Sequence, residues 1–260
     1  MVHKNGKYRK KVLDYWENDN VESMYDKILL NLEICEISRK IPKDSKILDA
    51  GCGEGEGTLA YSSIEGSLIH AADFSETRLK KLSKRLAGKN NVELKKVDFL
   101  GKIDLDFDYD VIISQRFMIN LMSWDLQKKV IIELMRRIKP QGRFVMLEGS
   151  EKGVQELNEL RSFFGLDPID VKWHNKFFND EKLIYFMGKH GFEIIEHNGF
   201  GIYFLLTRGL RPYFDKDLYW DCEFNKIAAK QKLWNHLKLD DARFSRLKLW
   251  VFKNSNITGV

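Results

Sequence analysis

Glycine recurs at every second position after Asp49, at Gly51, Gly53, Gly55 and Gly57, directly behind a short apolar run. Glycine tolerates positive φ and lets a ligand approach the backbone, because it has no Cβ. Where such a turn opens a helix, the free backbone N–H groups favour the polar atoms of a nucleotide. The pattern therefore predicts a strand that leads into a nucleotide-binding turn.

The spacing of these glycines excludes two common nucleotide motifs. A dinucleotide fingerprint, G-x-G-x-x-G, counted from Gly51 would need glycine where the chain has Glu56. A phosphate-binding P-loop is also excluded, since no Gly-Lys-Ser/Thr follows. The turn therefore serves a different nucleotide or nucleoside, with a purely structural strand-to-helix turn as the alternative.

A second carboxylate, Asp73, closes the next predicted strand and is followed by Phe74. Ligands of open α/β sheets bind beyond the carboxyl ends of the strands, so Asp73 is suited to accept hydrogen bonds from both ribose hydroxyls of a nucleoside. Phe74 would then pack on the base. A solvated turn aspartate is the alternative.

The order Asp49-x-Gly51-x-Gly53-x-Gly55, Asp73, Asp98-Phe99, Asp110 and Lys139-Pro140 resembles class I S-adenosylmethionine (SAM) dependent methyltransferases over residues 40–150. The resemblance implies SAM as cofactor, S-adenosyl-L-homocysteine (SAH) as product, and an acidic residue at Asp98 that accepts from the adenine amino group. The cofactor contacts expected on this basis are Asp49, Gly51, Cys52, Gly53, Gly55, Asp73, Phe74, Asp98, Phe99, Ser114, Gln115 and Trp16.

The acceptor side is predicted around the triplet Trp173-His174-Asn175. An imidazole titrates near neutral pH, so His174 suits a general base for an alcohol; a histidine bonded to loop backbone is the alternative. Arg116 and Arg161 would neutralise a phosphate or carboxylate, unless each is ion-paired within the protein. The expected substrate contacts are Arg116, Asn120, Glu148, Arg161, Trp173 and Asn175.

The elements that must position these residues alternate between strands and helices, which predicts a mostly parallel sheet. The predicted strands are 47–50, 68–73, 92–97, 109–114, 143–148, 192–197 and 246–252. The predicted helices between them are 58–63, 76–87, 126–138 and 180–189. The expected fold is α/β, a Rossmann-like class I methyltransferase fold with a seven-stranded sheet.

Three regions of one domain, 1–260, are expected. A helical preface spans 1–41, the SAM-binding core spans 42–150, and substrate-side elements span 151–260. Residues 198–243 are expected to form an insertion that covers the site. The apolar residues at its start alternate as in a strand, whereas residues 218–237 have the pattern of a helix.

The composition is that of an ordinary globular protein. Of its 260 residues, 43% are hydrophobic, and the formal net charge is +5. Three scattered cysteines, Cys35, Cys52 and Cys222, indicate neither a disulfide framework nor a zinc site, so a cytoplasmic protein without a metal is expected. No apolar stretch is long enough for membrane insertion. The mild positive charge permits an anionic acceptor.

The predicted function is O-methylation of a hydroxyl on a small polar metabolite, such as a sugar or sugar-linked precursor. This follows a resemblance to bacterial small-molecule and surface-polysaccharide-associated methyltransferases. Ser114-Gln115-Arg116-Phe117 lacks the proline-rich turn expected of adenine N-methylating enzymes, and no RNA-binding module is evident, so nucleic acid is disfavoured. RNA methylation and a non-catalytic SAM-binding scaffold remain as alternatives, and the oligomeric state stays open.

Overall fold

A seven-stranded sheet organises the computed structural model, which describes residues 2–105, 108–215, 217 and 219–256. Its strand order is β3-β2-β1-β4-β5-β7-β6, and β7 alone runs antiparallel to its neighbours. The strands are β1 Lys46–Ala50, β2 Leu68–Asp73, β3 Val92–Lys96, β4 Tyr109–Gln115, β5 Ile138–Gly149, β6 Phe192–Gly199 and β7 Leu247–Asn254. The mostly parallel seven-stranded prediction is confirmed.

Helices cover both faces of the sheet. They are α1 Val2–Glu17, α2 Lys27–Ser38, α3 Glu56–Tyr61, α4 Glu76–Arg85, α5 Trp124–Met135, α6 Glu151–Phe163, α7 Asp180–Lys189, α8 Gly201–Phe204, α9 Arg211–Phe214, α10 Glu223–Ala228 and α11 Gln231–Leu237. A 3₁₀ turn spans Met118–Asn120, and a π-helical turn, Leu205–Leu210, joins α8 to α9.

Alternating side chains of the central strands feed two separate cores. Ile47 and Ile113 enter the core on one face, whereas Leu48 and Ile112 enter the core on the other face, and all four are fully buried. This alternation is what buried strands impose, because successive side chains point to opposite faces. The carboxyl ends of β1, β2 and β4 consequently lie side by side at one edge.

The helical preface is two helices rather than one run. The chain leaves helical conformation after Glu17, and α2 begins at Lys27, where the Asp26 side chain accepts from the Leu29 N–H at 3.0 Å. An aspartate cap of this kind starts a helix by satisfying a free N–H. The apolar periodicity of the preface did not reveal this break.

After the last two residues of β6, the 198–243 insertion is helical from Gly201, although the alternation of its apolar residues resembled a strand. Ile202, Tyr203 and Phe204 are all fully buried, so this helical segment has no polar face. A helix that is apolar all round loses the periodicity by which helices are recognised in sequence. Further along, the predicted helix 218–237 contains two short helices, α10 and α11.

The segment Lys139-Pro140-Gln141-Gly142, whose proline and glycine are typical of a turn, lies inside β5. Gln141 takes φ +64°, and the pairing of β4 with β5 shifts register between Tyr109 and Val111. The turn is therefore a local irregularity in a longer strand.

Among the described residues, no helix is both long and apolar enough to cross a bilayer.

Candidate active site

The glycine turn follows β1 and folds back on the end of β2. The N–H groups of Gly51 and Cys52 donate to the carbonyl oxygen of Ala72 at 2.8 and 3.1 Å. Gly51 has φ +74°, and a Cβ there would lie 2.5 Å from the Phe117 Cβ. Gly53 has φ +55°, and no heavy atom lies within 4 Å of where its Cβ would be. Gly51 is thus required by packing, whereas Gly53 leaves open space.

Gly55 begins the helix that follows the turn and does not line the cavity. It is the left-handed N-cap of α3, with φ +79°, and a Cβ would lie 2.1 Å from the Leu82 Cδ1. Next to it, Asp49 accepts from the Thr58 hydroxyl at 2.6 Å. Burial raises the pKa of Asp49 to about 6, against the lowering effect of the Thr58 hydrogen bond. These contacts fix the turn to the helix that follows it.

A first cavity of about 180 Å³ opens beyond the carboxyl ends of β1, β2 and β4. Ligands of open α/β sheets bind at this place. The structure brings ten of the twelve expected cofactor contacts to its wall, leaving out Gly55 and Ser114. The ten are Asp49, Gly51, Cys52, Gly53, Asp73, Phe74, Asp98, Phe99, Gln115 and Trp16.

Asp73 is held rigidly at the wall of this cavity. Its Oδ2 accepts from the Gly53 N–H and its Oδ1 from the Ser75 N–H, both at 2.9 Å. Burial raises the pKa of Asp73, while the two N–H groups oppose that shift. Each carboxylate oxygen accepts one internal hydrogen bond, so each retains capacity for a ligand donor.

Asp98 and Phe99 line the opposite side of the first cavity. Asp98 forms an ion pair with Arg9 of α1 and also accepts from the Leu100 N–H at 3.0 Å. The ring centroid of Phe99 lies 4.9 Å from that of Phe117. The partnership with Arg9 was not anticipated from the sequence.

Arg78 holds α1 and the segment after it over the first cavity. Its Nε donates to the Trp16 carbonyl at 3.0 Å and its Nη2 to the Val21 carbonyl at 2.9 Å. The guanidinium also lies 4.8 Å from the Trp16 ring centroid. Sequence reasoning missed Arg78; the available signal was its place on the α4 face that also carries Leu79 and Leu82.

Trp16 in turn joins α1 to the 3₁₀ turn after β4. Its Nε1–H donates to the Asn120 Oδ1 at 3.0 Å, and the Asn120 Nδ2 donates to the Arg116 carbonyl at 2.9 Å. Trp16 therefore forms part of a wall that is fixed from both sides.

Ser114 and Glu148 lie beneath this turn and line neither cavity. The Ser114 hydroxyl donates to the Glu148 Oε1 at 2.5 Å, and the N–H groups of Phe117, Met118 and Ile119 donate to the same carboxylate at 3.0 to 3.2 Å. Burial raises the pKa of Glu148 to about 7, against these hydrogen bonds. Glu148, expected to contact substrate, instead supports the backbone of the turn, because its fully buried carboxylate is already surrounded by donors.

A second cavity of about 170 Å³ lies beside the first. Trp16, Ser23, Arg116 and Asn120 line both cavities. His174 and Asn175 line the second cavity, as does the insertion through Phe204 and Arg208. Within the described ranges, no cluster of three or more His, Cys, Asp or Glu side chains could hold a metal ion.

Besides Glu148, two more expected substrate contacts, Trp173 and Arg161, lie outside both cavities. Trp173 packs edge-on against Tyr15, with ring centroids 5.6 Å apart. The Lys11 Nζ lies over the Trp173 ring, 4.3 Å from its centroid. Arg161 donates from its Nε to the Asp167 carbonyl at 2.8 Å and from its Nη1 to the Arg208 carbonyl. Arg161 is therefore engaged in holding loops, which removes it from the wall of the site.

Arg116 lines both cavities but already has a carboxylate partner. Its Nε lies 3.0 Å from the Oε2 of Glu33, a residue with no exposed surface. The same Oε2 accepts from the Gln115 Nε2 at 2.7 Å, and the Gln115 Oε1 accepts from the Tyr61 hydroxyl at 3.2 Å. Burial raises the pKa of Glu33, against the effect of Arg116. Glu33, which sequence reasoning missed, fixes the residues at the junction of the cavities.

His174 is the buried titratable group of the second cavity. It is 3% exposed, and its Nδ1 has no hydrogen-bond partner among the described residues. Its ring lies 4.5 Å from the Tyr15 ring and 5.5 Å from the Trp16 ring. Burial, aided by Lys172, lowers the pKa of His174 to about 4. The imidazole is therefore neutral at pH 7.

Comparison with known proteins relates the core of this chain to one family. Residues 47–142 match the model of a methyltransferase domain. The demethylmenaquinone methyltransferase of Clavibacter sepedonicus is 36% identical over 105 residues, which cover 40% of this chain and 41% of that protein. The enzyme of the same name from Staphylococcus carnosus is 30% identical over 146 residues, or 51% of this chain and 58% of that protein. The chain thus spans about half the length of these curated relatives.

Among solved structures, the magnesium protoporphyrin IX methyltransferase of Synechocystis PCC 6803, with bound SAH, is similar in fold. Its TM-score is 0.58 at 14% identity, and the match covers 97% of this chain and 95% of that one. The domain match, the strand order and the glycine turn agree with one another. Residues 47–142 therefore match a methyltransferase domain, and the chain has the fold of class I, S-adenosylmethionine-dependent methyltransferases.

Proposed function

We propose that this protein transfers a methyl group from SAM to a hydroxyl group of a small polar acceptor, such as a sugar or a sugar-linked precursor. SAM would occupy the first cavity and the acceptor the second. The observation that carries this proposal is the adjacency of the two cavities, which share Trp16 and Asn120 as wall residues, together with unpartnered His174 in the second. The small-molecule methyltransferases among the relatives support an acceptor of this size.

The residues of the first cavity fit SAM. Asp73 offers two fixed carboxylate oxygens for the ribose hydroxyls, and the open space at Gly53 lets a ligand reach the backbone. Asp98 would accept from the adenine amino group, with Phe74 and Phe99 against the base. When bound, SAM supplies a methyl group activated by its sulfonium, so the protein's tasks are alignment and proton removal.

His174 would accept the proton of the acceptor hydroxyl as the new C–O bond forms. Its lowered pKa of about 4 makes it a weak base, but it also keeps the ring unprotonated at neutral pH. A weak base suffices here, because an attacking hydroxyl becomes far more acidic as it gains a bond to carbon. The part of this chain is thus to take the proton from the acceptor oxygen onto the imidazole; SAM would supply the methyl group through cleavage of its S–CH3 bond and leave as the neutral thioether SAH.

The lining of the second cavity suits a hydroxylated acceptor. Asn175 and Ser23 place an amide and a hydroxyl group at its wall, and Tyr15 adds an aromatic surface. Amides and hydroxyls both donate and accept, which is what recognition of neighbouring sugar hydroxyls requires.

Label transfer tests the proposal. The purified protein is incubated with methyl-tritiated SAM and a lysate, which is then separated by size with and without ribonuclease. We expect label in small, nuclease-resistant molecules. Label that disappears from large material after ribonuclease treatment would replace this proposal with RNA methylation, and SAM binding without any transfer would favour a non-catalytic scaffold.

A further inference from the structure

Basic side chains dominate the wall of the second cavity. Arg116, Lys172, Arg208 and Arg246 all line it, whereas Glu22 is the acidic residue in that lining. A concave surface with one sign of charge concentrates ligands of the opposite sign. Only those cations that are not already paired within the protein are available to a ligand.

The acids in and around this cavity already have partners. Glu33 pairs with Arg116 at 3.0 Å, Asp26 pairs with Arg208, and Glu22 pairs with Lys27 at 2.5 Å. Arg208 also lies over the Trp220 ring, 4.2 Å from its centroid. Two of the four cations are therefore neutralised within the protein.

Arg246 and Lys172 have no ion pair or side-chain hydrogen bond among the residues that the structure describes. Arg246 lies just before β7 with its guanidinium 5.5 Å from the Phe177 ring centroid. Burial, and then the charges of Arg208 and Arg116, lower the pKa of Arg246 to about 10, so it remains charged at neutral pH. A partly buried cation without a counter-ion costs stability, which an anionic ligand would recover.

His174 is a second and independent observation that points to a ligand in the same cavity. Its ring is 3% exposed, and its Nδ1 has no partner among the described residues. Buried polar atoms in proteins are normally hydrogen-bonded, so an exception at a cavity wall indicates where a ligand atom belongs. The unpaired cations and this nitrogen lie around one space.

We propose that the second cavity binds an acceptor that carries an anionic group, a phosphate or a carboxylate, held by Arg246 and Lys172 while its hydroxyl faces His174. This inference rests on the proposed function, because it specifies the acceptor of that reaction. A planar guanidinium binds either anion through two parallel hydrogen bonds, and a lysine adds a point charge.

Titration calorimetry with two simple anions tests the inference. Protein saturated with SAH is titrated with inorganic phosphate and, separately, with acetate, at constant ionic strength kept by chloride. We expect saturable binding of at least one anion. Arg246→Gln should weaken it at least tenfold, and Lys172→Gln should weaken it severalfold. Preference for phosphate would indicate a phosphorylated acceptor, and comparable binding of acetate would indicate a carboxylate.

Arg243→Gln is the matched control, because exposed Arg243 lies over the Phe244 ring at 4.8 Å but does not line the cavity. It should bind the anions like the wild type. Lys172 is exposed, so its variant tests the site even if Arg246→Gln does not fold. Absence of binding by both anions, or equal binding by wild type and both cavity variants, would overturn the inference. SAM affinity and label transfer, both measured on SAH-free portions of the same preparations, separate that failure from a failure of the proposed function.

Discussion

The two cavities share a wall but differ in charge. Carboxylates of Asp49, Asp73 and Asp98 reach the first cavity, whereas the cations of Lys172 and Arg246 reach the second. The first is formed mainly by strand ends and a glycine turn, and the second by loops and a helix that ion pairs hold together. The contrast agrees with the two ligands proposed above, SAM with its ribose hydroxyls and positive sulfonium in the first cavity and an anionic acceptor in the second.

Removal of the Asp73 carboxylate should have the largest effect on the first cavity. Two charge-assisted hydrogen bonds contribute about 3 kcal/mol or more, so Asp73→Ala should weaken SAM binding roughly a hundredfold or more by calorimetry. Asp104→Ala, at an exposed position, is the control. Because Asp73 also anchors the Gly53 turn, Asp73→Asn is measured beside it. Unchanged affinity in both variants would refute the ribose assignment.

Removal of His174 should affect only the second cavity. His174→Ala should leave SAM affinity nearly intact and slow turnover by roughly a hundredfold, the usual contribution of a general base. Exposed His236→Ala serves as the control in the same turnover assay. A rate equal to that of the wild type would mean that His174 is structural.

The contact that closes the first cavity should give a smaller effect. Arg78→Met leaves the carbonyls of Trp16 and Val21 without their donor, which should lower the free energy of unfolding by about 2 kcal/mol. Loss of the fixed α1 should also weaken SAM binding about tenfold, a penalty of about 1.4 kcal/mol. Lys84→Met, on the exposed side of the same helix, should change neither quantity. Normal SAM affinity in Arg78→Met would show that α1 does not close the site.

The pH dependence of stability should report the burial of His174 with the smallest effect. Its pKa falls from 6.5 to about 4 on folding, so the unfolded chain binds the proton more readily. The contribution of His174 to the free energy of unfolding is therefore fully present above pH 6.5 and is lost as the pH falls toward 4.

Urea unfolding of wild type and His174→Gln at several pH values measures this effect. The difference between their unfolding free energies should stay constant above pH 7 and shift in favour of the variant below pH 6. His236→Gln should follow the wild type throughout. A difference that does not vary with pH would mean that His174 keeps its ordinary pKa in the folded protein.

The first cavity was largely predictable because its residues follow from local chain geometry. Gly51, Gly53 and Asp73 stand at strand ends, and the sheet then brings those ends together. Gly55 shares the motif but has a packing role against Leu82, a difference that spacing alone does not reveal.

The second cavity was less predictable because its contacts join distant parts of the chain. Glu148 resembled a site residue since it follows a strand, yet the 3₁₀ turn folds over its carboxylate. Arg161 and Arg246 look alike in sequence, but the first binds loop carbonyls and the second faces the cavity. Contacts between distant parts of the chain decide which arginine is available to a ligand, and no local pattern in the sequence encodes them.

The most direct test of the division into two cavities is a crystal structure of the protein with SAH. We expect the ribose hydroxyls on the Asp73 carboxylate, the adenine beside Asp98 and Phe99, and the second cavity left to the acceptor. SAH seated against His174 and Arg246, or away from the glycine turn, would contradict the account.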